Sequence, residues 1–231
     1  MASIFAAAAQ TGSIAVQSEG GQIQARATRD GALFTAPWIQ SLVLDGRCYM
    51  IQVGALTTPI VGGGNGTVVD LDQPEVDISV PSGTTILPFR IDVQVENNAT
   101  EADNAIGEII IGIDRTVSDN TTGGTFTDET AVNLRTDNPR SSLCDPNSAY
   151  TGNITTAPVV IELARLQRVA IVDASSTARD DTSMHLLYEP SVIPAIVGPA
   201  QLLVYWGGVE AISGYAQVYW AELPTQARIS G

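Results

Sequence analysis

The sequence predicts an all-β protein whose antiparallel strands form a Greek-key sandwich of about eight strands. The chain has 231 residues, of which 44% are hydrophobic, 21 are Gly and 12 are Pro, a composition typical of one domain built from many short strands and turns. The strongest evidence lies at 201–222, where two apolar runs, 202–206 and 215–220, predict a closing hairpin. Strands this rich in β-branched and aromatic residues lie in the middle of a sheet. Their partners must therefore come from much earlier in the chain.

The first residues, 1–12, are small and weakly polar and are predicted to be an arm, so that the single domain covers 13–231. Residues 13–17 and 22–27 alternate apolar with polar side chains and predict a hairpin or two edge strands. The arm has no basic residues before its apolar patch, so we do not expect a signal peptide. No apolar run approaches the roughly 20 residues of a membrane-spanning helix.

A short hairpin is predicted at 39–53, where Asp45-Gly46 separates the apolar runs IQSLVL and RCYMIQV. Asp-Gly between apolar runs favours a type I′ turn, because both central residues need a positive φ. The glycine-rich stretch at 57–67 follows and predicts a flexible loop. It has neither the Lys nor the following helix of a phosphate-binding loop.

Residues 76–96 predict two strands joined by a Pro-Ser-Gly turn. In the second strand Ile91, Val93 and Val95 alternate with polar residues, which indicates one buried and one solvated face. Pro81 and Pro88 cannot donate a backbone hydrogen bond to a sheet, so both are expected at strand ends or bulges.

A long polar segment at 119–156, rich in Thr, Asn, Asp and Gly, interrupts the apolar strands. A polar segment of this length inside a compact domain is usually functional or faces a partner. We expect short strands within it at 125–127 and 131–134. The remaining predicted strands are 105–113, 159–172 with a break in its middle, and 184–188.

The charge balance is strongly acidic, with 25 Asp and Glu against 11 basic residues and a net charge of −14. All 11 basic residues are Arg. This balance disfavours nucleic-acid binding, which needs cationic side chains. It suits a protein that works in concentrated salt, although compositional drift of the genome would produce it too.

Four carboxylates, Asp70, Asp72, Glu75 and Asp77, lie close together in sequence and are weak candidates for a metal site. Hard divalent cations prefer carboxylate oxygens, so these residues could bind a cation at a subunit contact. The alternative is a solvated strand face and turn, and the spacing matches no EF-hand loop.

The sequence predicts neither an enzyme nor a cofactor. There is one histidine, His185, which we expect to be structural, and no nucleophile elbow is present. A zinc site would need more ligands than His185 and two distant cysteines, Cys48 and Cys144. The cysteines are expected to be buried free thiols, although a disulfide between them stays open.

Four Asn-X-Ser/Thr acceptors lie in predicted loops, at Asn65, Asn98, Asn120 and Asn153. Glycosylation at these positions depends on the host, and chance occurrence in a Thr-rich chain is the alternative.

The order of features along the chain carries a resemblance to a known family. An arm precedes about eight strands, with a proline-flanked turn VPSGTTILPFRI, a long polar insertion and a closing segment that ends in YWAEL. Together they resemble the single jelly-roll major capsid proteins of icosahedral viruses with an internal membrane, which infect halophilic archaea and thermophilic bacteria. The resemblance covers most of 13–223 and is architectural. It implies an antiparallel jelly-roll sandwich in which 119–156 is a loop insertion that decorates the shell.

The same resemblance implies a structural protein of the virion, with no catalytic residues. Copies of the chain would assemble with a related sister subunit into the shell, close to the internal lipid membrane. Residues 1–25 contain neither Arg nor Lys. We therefore expect no direct contact between this segment and packaged nucleic acid.

Two other classes of function fit the same composition. A secreted carbohydrate-binding sandwich would stack aromatic side chains on sugars, with Trp38, Trp206 and Trp220 as candidates. However, Trp206 and Trp220 lie within apolar strands and are expected in the core. A pilus or surface-layer subunit is the third hypothesis, and it would form fibres or sheets instead of closed shells.

Overall fold

The computed structural model describes residues 7–8, 26–27, 37–63, 69–96, 105–116, 124–137, 140–154, 156–170, 183–208 and 212–225. The chain divides into two compact units, 1–41 and 42–231. In the first unit β1 (Ala7–Ala8) pairs in parallel with β2 (Arg26–Ala27). The predicted strand at 13–17 and most of that at 22–27 lie outside the described residues, as does most of the arm.

The predicted strand IQSLVL is wrong, because this segment forms the helix α1 (Trp38–Leu44). The Asp-Gly pair that suggested a hairpin turn instead ends the helix. Gly46 has a φ of 69° and donates its N–H to the Val43 carbonyl at 2.9 Å, while the Arg47 N–H reaches the Leu42 carbonyl at 2.9 Å. These two bonds form a Schellman motif, in which glycine supplies the left-handed residue that caps the last carbonyls.

The strands described in the second unit are β3 (Cys48–Val53), β4 (Ile60–Val61), β5 (Val76–Val80), β6 (Thr84–Glu96), β7 (Ala105–Asp114), β8 (Thr125–Asp128), β9 (Val132–Asn133), β10 (Asp145–Thr151), β11 (Ile161–Ala170), β12 (Met184–Tyr188), β13 (Ile196–Val197), β14 (Ala200–Gly208) and β15 (Ser213–Pro224). They form two sheets, each paired antiparallel throughout. The six-stranded sheet has the order β11-β7-β14-β5-β10-β8. The seven-stranded sheet has the order β12-β6-β15-β3-β9, with β13 on β6 and β4 on β15.

Eight of these strands have the topology of a jelly roll. One layer contains β3, β15, β6 and β12, and the other contains β5, β14, β7 and β11. The chain changes layer at every step along this series except between β7 and β11, so strands distant in sequence become neighbours. The predicted all-β antiparallel jelly-roll sandwich is confirmed.

The two closing strands lie in the middle of different sheets. β14 pairs with β5 and β7, and β15 pairs with β3 and β6. The prediction that their partners come from much earlier in the chain is confirmed. The prediction that they form a hairpin is wrong, because β14 and β15 belong to different sheets.

The space between the sheets is filled by alternate side chains of both layers. The largest fully buried side chains include Trp206 on β14 and Trp220 on β15. β14 is buried on both faces, since Leu203 and Tyr205 on its outer face pack with Val69 in a second, smaller cluster. This double burial explains why β14 is apolar without alternation.

The described part of 119–156 extends the edges of both sheets. β10 pairs with β5 and β8, and β9 pairs with β3. The predicted short strands at 125–127 and 131–134 are confirmed as β8 and β9. By covering the edges of β5 and β3, the insertion protects strands that would otherwise be open to non-native pairing. Its role as a decoration of a shell stays a prediction.

The two prolines that interrupt the predicted strands lie at a strand end and at a register shift. Pro81 directly follows β5, and Pro88 adjoins the register shift between β6 and β15, as expected for residues without an N–H. The break predicted within 159–172 is wrong. β11 is one strand with a register shift between Glu162 and Ala164.

Candidate functional site

The first two candidate metal ligands belong to a turn that precedes β5. The Asp70 Oδ1 atom accepts the Asp72 N–H at 2.9 Å, and its Oδ2 atom accepts the Gln73 Nε2 at 3.2 Å. An aspartate that binds the backbone two residues ahead stabilises a tight turn. Burial, and then the charge of Asp70, raise the pKa of Asp72. Asp70 and Asp72 therefore stabilise a turn, as the alternative to a metal site predicts.

Glu75 is buried and joins three separate segments of the chain. Its Oε1 atom accepts the Gly63 N–H, and its Oε2 atom accepts the Trp206 N–H at 2.8 Å. Its own N–H reaches the Val204 carbonyl at 3.0 Å. The side chain thus continues the pairing of β5 with β14 beyond the last residue of the ladder. Burial raises the pKa of Glu75 well above its ordinary value, although the two backbone donors oppose this.

Asp77 points to the outer side of the six-stranded sheet and is fully buried. Its Oδ2 atom accepts the Tyr150 hydroxyl and the Gln201 Nε2, each at 3.1 Å. Asp70, Glu75 and Asp77 thus accept hydrogen bonds from different protein donors instead of pointing at one centre. Within the described ranges, no three His, Cys, Asp or Glu side chains are placed to hold a metal ion.

A row of uncharged polar side chains covers the outer side of the seven-stranded sheet. We call it the Tyr/Gln face and define it by Gln52, Gln94, Tyr215, Gln217 and Tyr219. Tyr215 donates its hydroxyl to Gln94, Tyr219 to Gln217 at 3.0 Å, and Gln217 reaches Gln52 at 3.5 Å. The alternating pattern of β6 and β15 places these side chains outside and the aliphatic ones inside. The result is a surface whose side chains are already fixed by each other.

A charged cluster borders this face on β6, where Asp92 lies opposite Gln217. The Arg90 guanidinium lies 3.2 Å from Asp92 and 3.1 Å from Glu189, and 6.0 Å from the centre of the Tyr219 ring. His185 Nε2 lies 2.8 Å from Asp92. Burial alone would raise the pKa of Asp92, but the hydrogen bonds from His185 and Arg90 outweigh it and lower that pKa. The single histidine of the chain thus orients a carboxylate at the edge of the face.

A pocket of about 330 Å³ lies where the insertion meets the end of β15. We call it the Arg47–Arg140 pocket; Tyr49, Ser141 and Glu222 also line it. Burial, and then Glu222, raise the pKa of Tyr49, whereas the two arginines lower it. The Tyr49 hydroxyl itself donates to the Ser141 carbonyl at 3.2 Å. No pattern in the sequence predicts this site, because Arg47 and Arg140 are far apart along the chain and neither belongs to a motif.

The aromatic residues proposed for sugar stacking are divided between surface and core. Trp206 and Trp220 have no exposed surface, so the expectation that they belong to the core is confirmed. Neither can stack on a sugar. Trp38, in the first unit, is 51% exposed.

The cysteines and one acceptor asparagine can also be placed. Cys48 and Cys144 are buried free thiols, and burial raises the pKa of Cys48 to about 11. A thiol with so high a pKa is a poor nucleophile at neutral pH. Asn153 is exposed, and its Oδ1 atom accepts the Gln73 Nε2 at 2.9 Å. Asn65, Asn98 and Asn120 lie outside the described residues.

Comparisons of the chain with models of protein families, with curated proteins and with solved structures found no match. In the part of the chain that the structure describes, no helix has the length and apolar character needed to cross a membrane. The features from which a function can be inferred are the jelly-roll topology, the Tyr/Gln face and the Arg47–Arg140 pocket.

Proposed function

We propose that the chain is a structural subunit of an icosahedral viral capsid. In this proposal copies of the chain assemble with a related sister subunit into a shell close to an internal lipid membrane, without direct contact with nucleic acid. The support combines a resemblance of architecture with one surface. A jelly roll hosts many functions, so the fold alone does not identify the function of this chain.

The observation that carries the proposal is the composition of the Tyr/Gln face. Protein interfaces are depleted in charge at their centre and enriched in Tyr, Arg, Phe and Met. In a chain of net charge −14, the five side chains that define this face are uncharged, and the charged neighbours beside them on β6, Arg90 and Asp92, pair with each other at 3.2 Å. Phe89 packs against Tyr219 with ring centres 6.2 Å apart, and the hydrogen-bonded row needs little ordering on association. A surface fixed in advance loses less entropy when it binds.

A charge placed at the centre of the face is expected to prevent assembly. Gln52→Arg introduces a guanidinium at an exposed position of β3, where folding tolerates it. Burying an unpaired charge at an interface costs roughly 3–5 kcal/mol, so self-association should weaken on the order of 100-fold or more. Sedimentation velocity at several protein concentrations measures this change.

The matched control is Val159→Arg, which places the same group at an exposed apolar residue just before β11 of the other sheet. We expect it to assemble like the wild-type protein. Equal association of Gln52→Arg and wild type would show that the Tyr/Gln face is not the contact.

Assembly should also depend on ions. Subunits with 25 acidic and 11 basic residues repel each other unless salt screens the charges or cations bridge them. We expect assemblies to dissociate when salt is lowered and EDTA is added, as monitored by light scattering. Particles that stay intact in salt-free buffer with EDTA would contradict this part of the proposal.

A further inference from the structure

We propose that the Arg47–Arg140 pocket is a carboxylate-binding site. The chain has 11 basic residues against 25 acidic ones, and all 11 are Arg. Arg90, Arg135 and Arg165 each lie within 3.3 Å of a carboxylate oxygen. Most of the cationic side chains described outside the pocket are thus already paired.

Within the part of the chain that the structure describes, some guanidinium donors of the residues that line the pocket are used by no carboxylate. Arg47 pairs with Asp45 through Nε, which leaves its two terminal nitrogens. The Arg140 side chain has no carboxylate within ion-pair distance among the described residues, although the chain is rich in acids. Guanidinium groups bind carboxylates through two parallel hydrogen bonds, which makes the pairing both strong and directional.

Glu222 determines which class of anion the pocket favours. This buried carboxylate accepts hydrogen bonds from the Trp220 Nε1 at 3.0 Å and the Leu143 N–H at 3.1 Å, and from the Ser142 hydroxyl. Neutral donors therefore satisfy it, and it does not occupy the arginines. Its charge nevertheless faces the pocket, which disfavours a phosphate group, whose two charges lie on one centre, more than a carboxylate group, which carries a single charge.

Two sources can supply the carboxylate. One is an Asp or Glu side chain on the acidic surface of a second copy of the chain, and this source rests on the proposed function. The other is a small free carboxylate, for which a volume of about 330 Å³ lies at the lower end of ligand pockets. Both place the same group between the same two arginines.

The test compares Arg140→Gln with Arg168→Gln, which removes an equal charge from β11 and does not line the pocket. The melting temperature of each protein is measured in succinate, in inorganic phosphate and in sodium chloride of equal ionic strength. Sedimentation velocity then gives the self-association of each variant. We expect succinate to raise the melting temperature of the wild type and of Arg168→Gln, and this rise to vanish in Arg140→Gln.

If the ligand is an Asp or Glu side chain of a second copy of the chain, two more effects are expected. Arg140→Gln should weaken self-association about 10–100-fold, the effect of losing hydrogen bonds to a charged group, and succinate should compete with assembly of the wild type. A free carboxylate as ligand leaves self-association unchanged. Identical behaviour of Arg140→Gln and Arg168→Gln in both measurements, or a larger shift with phosphate than with succinate, overturns the assignment. If the wild type does not associate, the proposed function fails, and the succinate measurement still tests the pocket by itself.

Discussion

Replacing Trp206 with Ala is expected to lower the free energy of unfolding by about 3–5 kcal/mol. The indole has no exposed surface, and its Nε1 donates to the Ile60 carbonyl at 3.1 Å. Two glycines, Gly62 and Gly214, lie against the indole ring. A Cβ at Gly62 would lie 2.7 Å from the ring, and one at Gly214 would lie 3.3 Å from it. Backbone packed this closely cannot move in to fill the cavity that Ala would leave.

Chemical denaturation followed by circular dichroism measures this loss. The control is Val192→Ala, because Val192 is 83% exposed and its truncation should change stability by less than about 0.5 kcal/mol. A loss below about 1 kcal/mol for Trp206→Ala would mean that the indole does not join the two layers as the structure shows.

Glu75→Gln is expected to remove a fall in stability that the wild type shows as the pH rises. The pKa of Glu75 is raised well above the ordinary 4.5 by burial. At a pH between the ordinary pKa and the raised pKa, Glu75 is protonated in the folded chain and ionised in the unfolded chain. The stabilisation from this group is therefore complete below pH 4.5 and is lost as the pH rises through the raised pKa, by up to about 1.4 kcal/mol for each pH unit.

Urea denaturation at a series of pH values from 4.5 upward tests this expectation. Asp128→Asn removes one charge from an exposed position and should retain the decline. The lowered pKa values of Asp92 and Glu162 act at lower pH. The raised pKa of Asp72 contributes a decline that Glu75→Gln keeps, so the difference between this variant and the wild type reports Glu75. A slope in Glu75→Gln equal to that of the wild type would show that Glu75 is ionised in the folded chain throughout this range.

The periodic pattern of the chain was sufficient to predict the layers of the fold. Alternation in β6 placed Ile91, Val93 and Val95 inside, and the apolar character of β14 and β15 placed both strands at the centre of a sheet. These features could be predicted because burial imposes a period of two on side chains.

The sequence predicted the wrong structure where the same short motif is compatible with two structures. Asp45-Gly46 fits a type I′ hairpin turn and also a helix end, since both need a residue of positive φ. Only the bonds from Gly46 and Arg47 back to the helix distinguish them. In the same way, a short connection between β14 and β15 is compatible with a hairpin and with a crossing between layers.

The candidate site was the least predictable feature. Glu75 and Asp77 are two residues apart, yet each binds donors from different strands, because the fold and not the spacing decides what a buried carboxylate meets. The Arg47–Arg140 pocket joins the start of β3 to the insertion, and no sequence motif marks such a meeting. Long-range contacts of this kind are set by the jelly-roll topology.

The most direct test of the proposed role is electron microscopy of the material that purifies with this chain from its natural source. Closed icosahedral particles, with the chain as a major component, are the predicted result. Fibres or open sheets, or a chain that remains monomeric in every salt condition, would contradict a capsid subunit.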